Sequence, residues 1–386
     1  MSIPVEARSP SRSSPSTAVA WRPSWRDAAV VAALIATFWV VRYWHSASFG
    51  LYEDDLTNIP RAIQMTGAEL LRFVSNYIIH LYGHAGPLDE SLIYIFSNLG
   101  WRLDRLQGIY FVGFAVESLN ILLFFALLRR LQARIGFALI GGLAYALFSA
   151  DTTQSLLTHS LSLQPSLTLL LLALHAWLSD RRSLAYLLSF VILFAYETPY
   201  PVFLGAPLLN QPWDRRLPRT LLLHATIVTA LLLAATGVKA LAGEERVADL
   251  TLAQAILTPL NHMIVGPAVS LATFGLRPLE ALAARRGDVL VLILAATGVF
   301  TYLLIRFDVG STTDFVDSVA WLRERLRRLR RRKEPGTGSP RAAPPVLRLG
   351  VAGLAMWVLA YPLTFTTFGY HIRGRPTRVH LAAVVG

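Results

Sequence analysis

Three consecutive carboxylates, Glu53, Asp54 and Asp55, follow Tyr52 in a chain where only 16% of residues are charged. They fall where the first long apolar run has just ended, at the start of the longest polar segment between apolar runs. Such a cluster can do one of three things. A carboxylate beside an acceptor hydroxyl takes its proton as a new bond forms. Glu53 and Asp55, two apart, can share Mg²⁺ or Mn²⁺ if the backbone there is extended, since both ions favour oxygen ligands and substrate phosphates. An acidic run also simply starts a helix. Neighbouring helical residues point in different directions, so one of Asp54 and Asp55 would be the base and the other structural.

Glu197 is the second candidate. It lies in Tyr196-Glu197-Thr198-Pro199-Tyr200-Pro201, among apolar segments where an ionisable group is expensive. The basic set His371, Arg373, Arg375 and Arg378 is the third, because guanidinium forks suit phosphate oxygens. Arg61 and His84 complete the substrate-binding candidates, while Asp89 and Glu90 read as a helix start. His159 and His175 read as buried packing residues, and Asp104 with Arg102 and Arg105 as an interfacial charge cluster.

The elements that must position these residues are membrane helices. Of the 386 residues, 54% are hydrophobic and mean hydropathy is +0.48. Soluble domains carry about 25% charge. Much of the apolar content comes in runs of roughly 18–24 residues, the length that crosses a bilayer as a helix. The expected fold class is therefore all-α: a polytopic transmembrane helical bundle. Absence of cysteine excludes disulfides, thiol catalysis and thiolate metal sites. The formal charge of +12 comes from arginines at helix ends and in one loop, so it reads as a topology signal beside anionic lipid rather than nucleic-acid binding.

Residues 1–27, rich in Ser, Pro and Arg, read as a disordered cytoplasmic tail. The transmembrane domain then occupies 28–386. Its first span is Ala28 to Trp44, entered from the inside after Arg22 and Arg26. Residues 46–106 form the first outer loop, with a surface helix from Ile59 to His80 and a second short helix from Glu90 to Leu99. Further spans run from Gly108 to Leu128, Ile135 to Phe148, and Gln154 to Leu178 with a kink at Pro165. Leu184 to Leu209 reads better as two short legs joined outside at Glu197 than as one span, because the hairpin keeps Arg215, Arg216 and Arg219 inside. Leu221 to Leu241 leads out, and Gly243 to Gly287 reads as an outer loop with interfacial helices. Asp288 to Arg306 returns inside to a basic loop at 307–345, where Arg323 to Lys333 holds eight basic residues among eleven. Val346 to Thr364 spans outward, Phe365 to His380 is a basic outer loop, and Leu381 to Gly386 reads as the first turn of another span, cut short.

This order resembles the membrane glycosyltransferases of the GT-C class, which include protein O-mannosyltransferases, lipid A aminoarabinose transferases and oligosaccharyltransferases. The residues that carry the resemblance are Asp54-Asp55 opening the first outer loop, the turn His84-Ala85-Gly86-Pro87-Leu88, a span ending in Leu127-Leu128-Arg129-Arg130-Leu131, and the outer turn at Tyr196-Glu197-Thr198-Pro199. It covers Ala28 to Thr220. It implies an enzyme that takes a sugar from a polyprenyl-phosphate donor at the outer face and gives it to a glycan, lipid or protein acceptor. Asp54 or Asp55 would be the base, and outer arginines would neutralise the departing phosphate. A transporter or flippase of a lipid-linked saccharide, or an inactive scaffold of the same fold, are the alternatives. Composition points to a bacterial inner membrane, with the N-terminus cytoplasmic.

Overall fold

The computed structural model describes residues 23–82, 86–131, 133–148, 150–151, 153, 156–211, 213–214, 216–244, 251–283, 323, 345–363 and 375–386. The tail to residue 22, His84, Arg373, the 288–306 span and the basic run after Arg323 lie outside these residues. Among the described residues there are helices and no strand.

The first span starts where Ser24 and Asp27 form a reciprocal capping box. It runs as α1 (Trp25–Phe38) and widens into a π-turn over Trp39–Tyr43. Asp27 is buried and pairs with Arg129 Nε at 2.6 Å. That pair ties the start of α1 to the end of α4 (Pro87–Arg130), two ends the arginine pattern places on one side.

The first outer loop departs from expectation. Ile59 to His80 is not one helix but two, α2 (Asp55–Gln64) and α3 (Gly67–His80). The break is chemical: Thr66 accepts from the Glu69 amide while the Glu69 carboxylate accepts from Thr66, a capping box that restarts the helix. No residue of α3 is fully buried; Leu71 and Ile79 stand outward, as on a helix lying at an interface.

The next helix begins at Pro87 rather than Glu90, and α4 is broken inside by non-helical backbone at Asp104 and Arg105. The stretch 87–103 folds back on 106–130. The two meet at Gly100 and Gly108, where a Cβ on Gly100 would sit 2.5 Å from the Ile109 Cα. The 106–130 part is the second span. The third is α5 (Ile135–Ala146). The fourth opens with a π-turn (His159–Leu163) just before Pro165 and continues as α6 (Gln164–Leu178).

The chain then makes the expected hairpin. The leg α7 (Arg182–Ala195) leads to the turn at Glu197; a 3₁₀ stretch (Tyr200–Gly205) and α8 (Ala206–Asn210) return. Asn210 Oδ1 accepts from Trp177 Nε1 at 3.2 Å, so the second leg ends beside the last turn of α6, where the first leg set out. The helix α9 (Leu217–Leu241) follows. The stretch read as an outer loop contains instead one long helix, α10 (Leu252–Ala283), whose 256–277 part is long and apolar enough to cross a membrane. Its apolar content is spread around the helix, which hides the span from a reading that counts polar interruptions such as Asn261-His262. After α11 (Pro345–Leu359) comes a 3₁₀ segment (Arg375–Val385), where the sequence reads as the first turn of a further span; its Leu381 and Ala382 are in the core.

Five helical stretches of the described residues have the length and hydropathy of membrane spans. Leu222, Leu233, Leu241, Ile264 and Leu271 on α9 and α10 face outward, the reverse of a soluble surface. The protein is an all-α bundle of the membrane type.

Gly100→Val drives a branched side chain into the Ile109 backbone. It is expected to cost at least about 1–3 kcal/mol, the range for overpacking. Gly237→Ala, with open space around it, is expected to be neutral or stabilising by up to about 1 kcal/mol. Thermal unfolding of the two purified variants in detergent checks the contrast.

Candidate functional site

Asp55 is fully buried. Its Oδ1 accepts from the Thr158 amide at 2.7 Å, and its Oδ2 from the amides of Leu157 at 3.2 Å and Tyr52 at 3.3 Å. Leu157 and Thr158 lead into the π-turn that opens the fourth span, so one carboxylate bolts the first outer loop to that span. Burial raises its carboxyl above the usual carboxylate range, and the N–H groups of Thr158, Tyr52 and Leu157 oppose the rise. Both oxygens accept from backbone N–H groups, and the Thr158 side chain adds a further bond. Asp55 is therefore placed as a structural clamp, and as a base it has no oxygen turned to an acceptor. The same N–H groups compete for the Asp55 oxygens with any ion shared with Glu53. Among the described residues no three His, Asp or Glu side chains are grouped for a metal.

The rest of the run behaves differently. Glu53 is exposed and holds a left-handed backbone, φ 50°, that lets the chain turn into α2. Tyr52 is exposed and Asp54 half-buried at the first position before α2. Arg61 is turned toward α3 and α4, its guanidinium 5.3 Å from the Phe73 ring centre; Phe73 in turn stacks on Tyr94 at 4.1 Å. It braces the loop helices against each other.

Other predicted residues do converge. Asp89 stands in the first turn of α4, two residues after Pro87, which explains its reading as a helix start. The structure adds that its Oδ1 is sealed from solvent and meets no hydrogen-bond partner among the described residues. Burial pushes the Asp89 carboxyl up to about 6; Glu90 and Glu197 reinforce the rise, while Ser162 and Arg378 oppose it. The break at Asp104 and Arg105 keeps this stretch of the outer loop separate from the span that follows it. Glu197, only 18% exposed, lies 3.5 Å from Lys239 Nζ at the end of α9. Arg378, from the C-terminal segment, also acts on Asp151 and on Tyr196. Asp151, in the turn between the third and fourth spans, accepts from the Thr153 amide and hydroxyl at 2.8 and 2.6 Å.

The first outer loop, the hairpin turn, the end of α9 and the C-terminal segment thus place two carboxylates, an arginine and a lysine together. Sequence reasoning singled out Glu197 and Arg378 but not Asp89 or Lys239. Lys239 sits in the last turn of an apolar helix, and its distance in sequence from Glu197 gives no local signal. Of the basic outer set, Arg375 is described only in its backbone and His371 and Arg373 lie outside the described residues.

The chain matches no protein-family model, no curated protein and no solved structure.

Asp55→Asn keeps one carbonyl acceptor but turns an NH₂ toward a backbone N–H. It is expected to destabilise the fold by about 1–3 kcal/mol, the cost of a buried unpaired donor. Glu53→Gly removes a side chain from left-handed backbone and is expected to gain up to about 1 kcal/mol. Thermal unfolding of both variants measured side by side checks the assignment of clamp and turn.

Proposed function

We propose that the protein is a membrane glycosyltransferase that draws a sugar from a polyprenyl-phosphate donor at the outer face of the membrane. The observation that carries the reading is the meeting of Asp89, Glu197, Lys239 and Arg378 at the ends of several helices, beside a loop that presents amphipathic helices to lipid. A carboxylate poised near neutrality beside fixed cations is the pairing that displacement of a phosphate requires.

In this reading the acceptor hydroxyl gives its proton to Asp89 as its oxygen bonds to the anomeric carbon. The bond from that carbon to phosphate breaks, and its electron pair leaves on the phosphate oxygen, whose charge Arg378 neutralises. Glu197, held by Lys239, receives hydroxyls of the sugar. Asp54, on the exposed side of the loop start, takes part in acceptor binding, with Asp55 holding the loop in place. The acceptor is a glycan, lipid or protein. The protein sits in a bacterial inner membrane with its N-terminus cytoplasmic, the orientation that puts this cluster outside. Transport of a lipid-linked saccharide is the second reading; it is favoured by the buried Glu117 in the second span, since acids inside membranes mark transport paths.

Membranes carrying the protein, given labelled polyprenyl-phosphate sugars, are expected to move label to an acceptor. Asp89→Asn is expected to lower the rate by about 10²–10⁴-fold at equal expression. The base acts in its deprotonated form, so the wild-type rate should rise as pH climbs through about 6, the value to which burial pushes Asp89. The variant should lose that limb. Transfer by Asp89→Asn at the wild-type rate and with the same pH profile would sink the assignment; no transfer by wild type, with saccharide crossing the membrane instead, would favour transport.

A further inference from the structure

A second polar site lies inside the bundle, away from the outer cluster. Glu117 is 5% exposed and sits in the 106–130 span. Tyr43 donates its hydroxyl to Glu117 Oε1 at 2.8 Å. Among the described residues no lysine or arginine makes an ion pair with Glu117. Its carboxyl borders a cavity of about 10 Å³, lined also by Phe38 from the first span, Tyr145 from the third and Gln164 from the fourth. Room for about one water centre is what a single buried water needs. Tyr145 lines the same cavity, and its hydroxyl is buried with no hydrogen-bond partner among the described residues.

Among the described residues, the elements around Glu117 bring the following side chains. The first span brings Tyr43 and Arg42; the third brings Tyr145; the fourth brings Gln164; the C-terminal segment brings only Val384. Asp151, in the turn above, faces it as well. Arg42 donates to the Phe148 carbonyl at 3.3 Å. A bare carboxylate here would have one phenol for a donor, in an apolar bundle where ionised groups are costly unless paired. Gln164 accepts at Oε1 from Asn120 Nδ2 at 3.0 Å, and among the described residues Tyr43 is the hydrogen-bond donor to Glu117.

We infer that this cavity is a proton-binding site: Glu117 carries a proton inside the folded bundle, hydrogen-bonded to Tyr43 and, through one water, to Tyr145. A neutral acid fits the surroundings that an anion does not. Its O–H supplies a donor, the water accepts it, and the water and the Tyr145 hydroxyl satisfy each other. The inference stands independently of sugar transfer.

The test is infrared difference spectroscopy of the whole protein in lipid at neutral pH, in H₂O and in D₂O. A protonated carboxyl gives a C=O stretch that shifts in D₂O. The band is expected in wild type and absent in Glu117→Gln. It is expected to move in Tyr43→Phe, which removes its direct partner, and in Tyr145→Phe, which removes the far end of the water bridge. Glu117→Asp keeps an acid and should show a displaced band, so the assignment survives if Glu117→Gln does not fold. A wild-type spectrum without any band lost on Glu117→Gln or displaced on Glu117→Asp would overturn the inference. So would a band that Tyr43→Phe and Tyr145→Phe leave in place.

Discussion

A buried carboxylate has to be satisfied, and the end of the bundle that carries the first long loop is arranged by how Asp55 is satisfied. Its two oxygens take three backbone N–H groups, two of them at the start of the fourth span. Hydrogen bonds to a charged group contribute about 1.5–3 kcal/mol each. They also have direction, so they fix where the first outer loop lies and not merely that it is attached. Once α2 is held over the fourth span, α3 and the 87–103 stretch pack beneath it through Phe73 and Tyr94. The outer cluster depends on that placement, because Asp89 belongs to the loop while Glu197, Lys239 and Arg378 do not.

Close helix approach supplies the other constraint. At Gly100 and Gly108 two stretches of α4 approach more closely than any side chain permits. The reversal at Asp104 and Arg105 then turns a 44-residue helix into an outer arm and a span. The arm brings Asp89 down toward Ser162, in the π-turn that begins the fourth span. Loop and spans therefore meet at one end of the bundle, with the Asp55 clamp and the Asp89 cluster flanking the same polar turn.

Much of the architecture was legible in the sequence. The early apolar helices and the hairpin around Glu197 follow from apolar run length, arginine placement and proline chemistry. The break between α2 and α3 was written in Thr66-Gly67-Ala68-Glu69, a capping sequence outweighed by the longer apolar periodicity. Asp55 was legible as unusual, but its use was not: whether a carboxylate faces solvent or a span's backbone amides is decided by residues a hundred positions away. Asp89 carried two meanings at once, since an acid in the first turn of a Pro-initiated helix is ordinary and its burial is tertiary. Glu117 is the reverse case: a lone acid within an apolar span is a local signal, but a reading of the span from its apolar length passes over the acid.

The central claim is that the outer cluster receives a phosphate-linked donor, and it is tested most directly by a cryo-EM structure of the protein in lipid with a non-transferable polyprenyl-phosphate sugar analogue. The account predicts the phosphate against Arg378, the sugar beside Glu197 and the anomeric carbon turned toward Asp89, with Asp55 still bound to the amides of Leu157 and Thr158. An analogue bound elsewhere, or one that leaves Arg378 and Asp89 untouched, would contradict it.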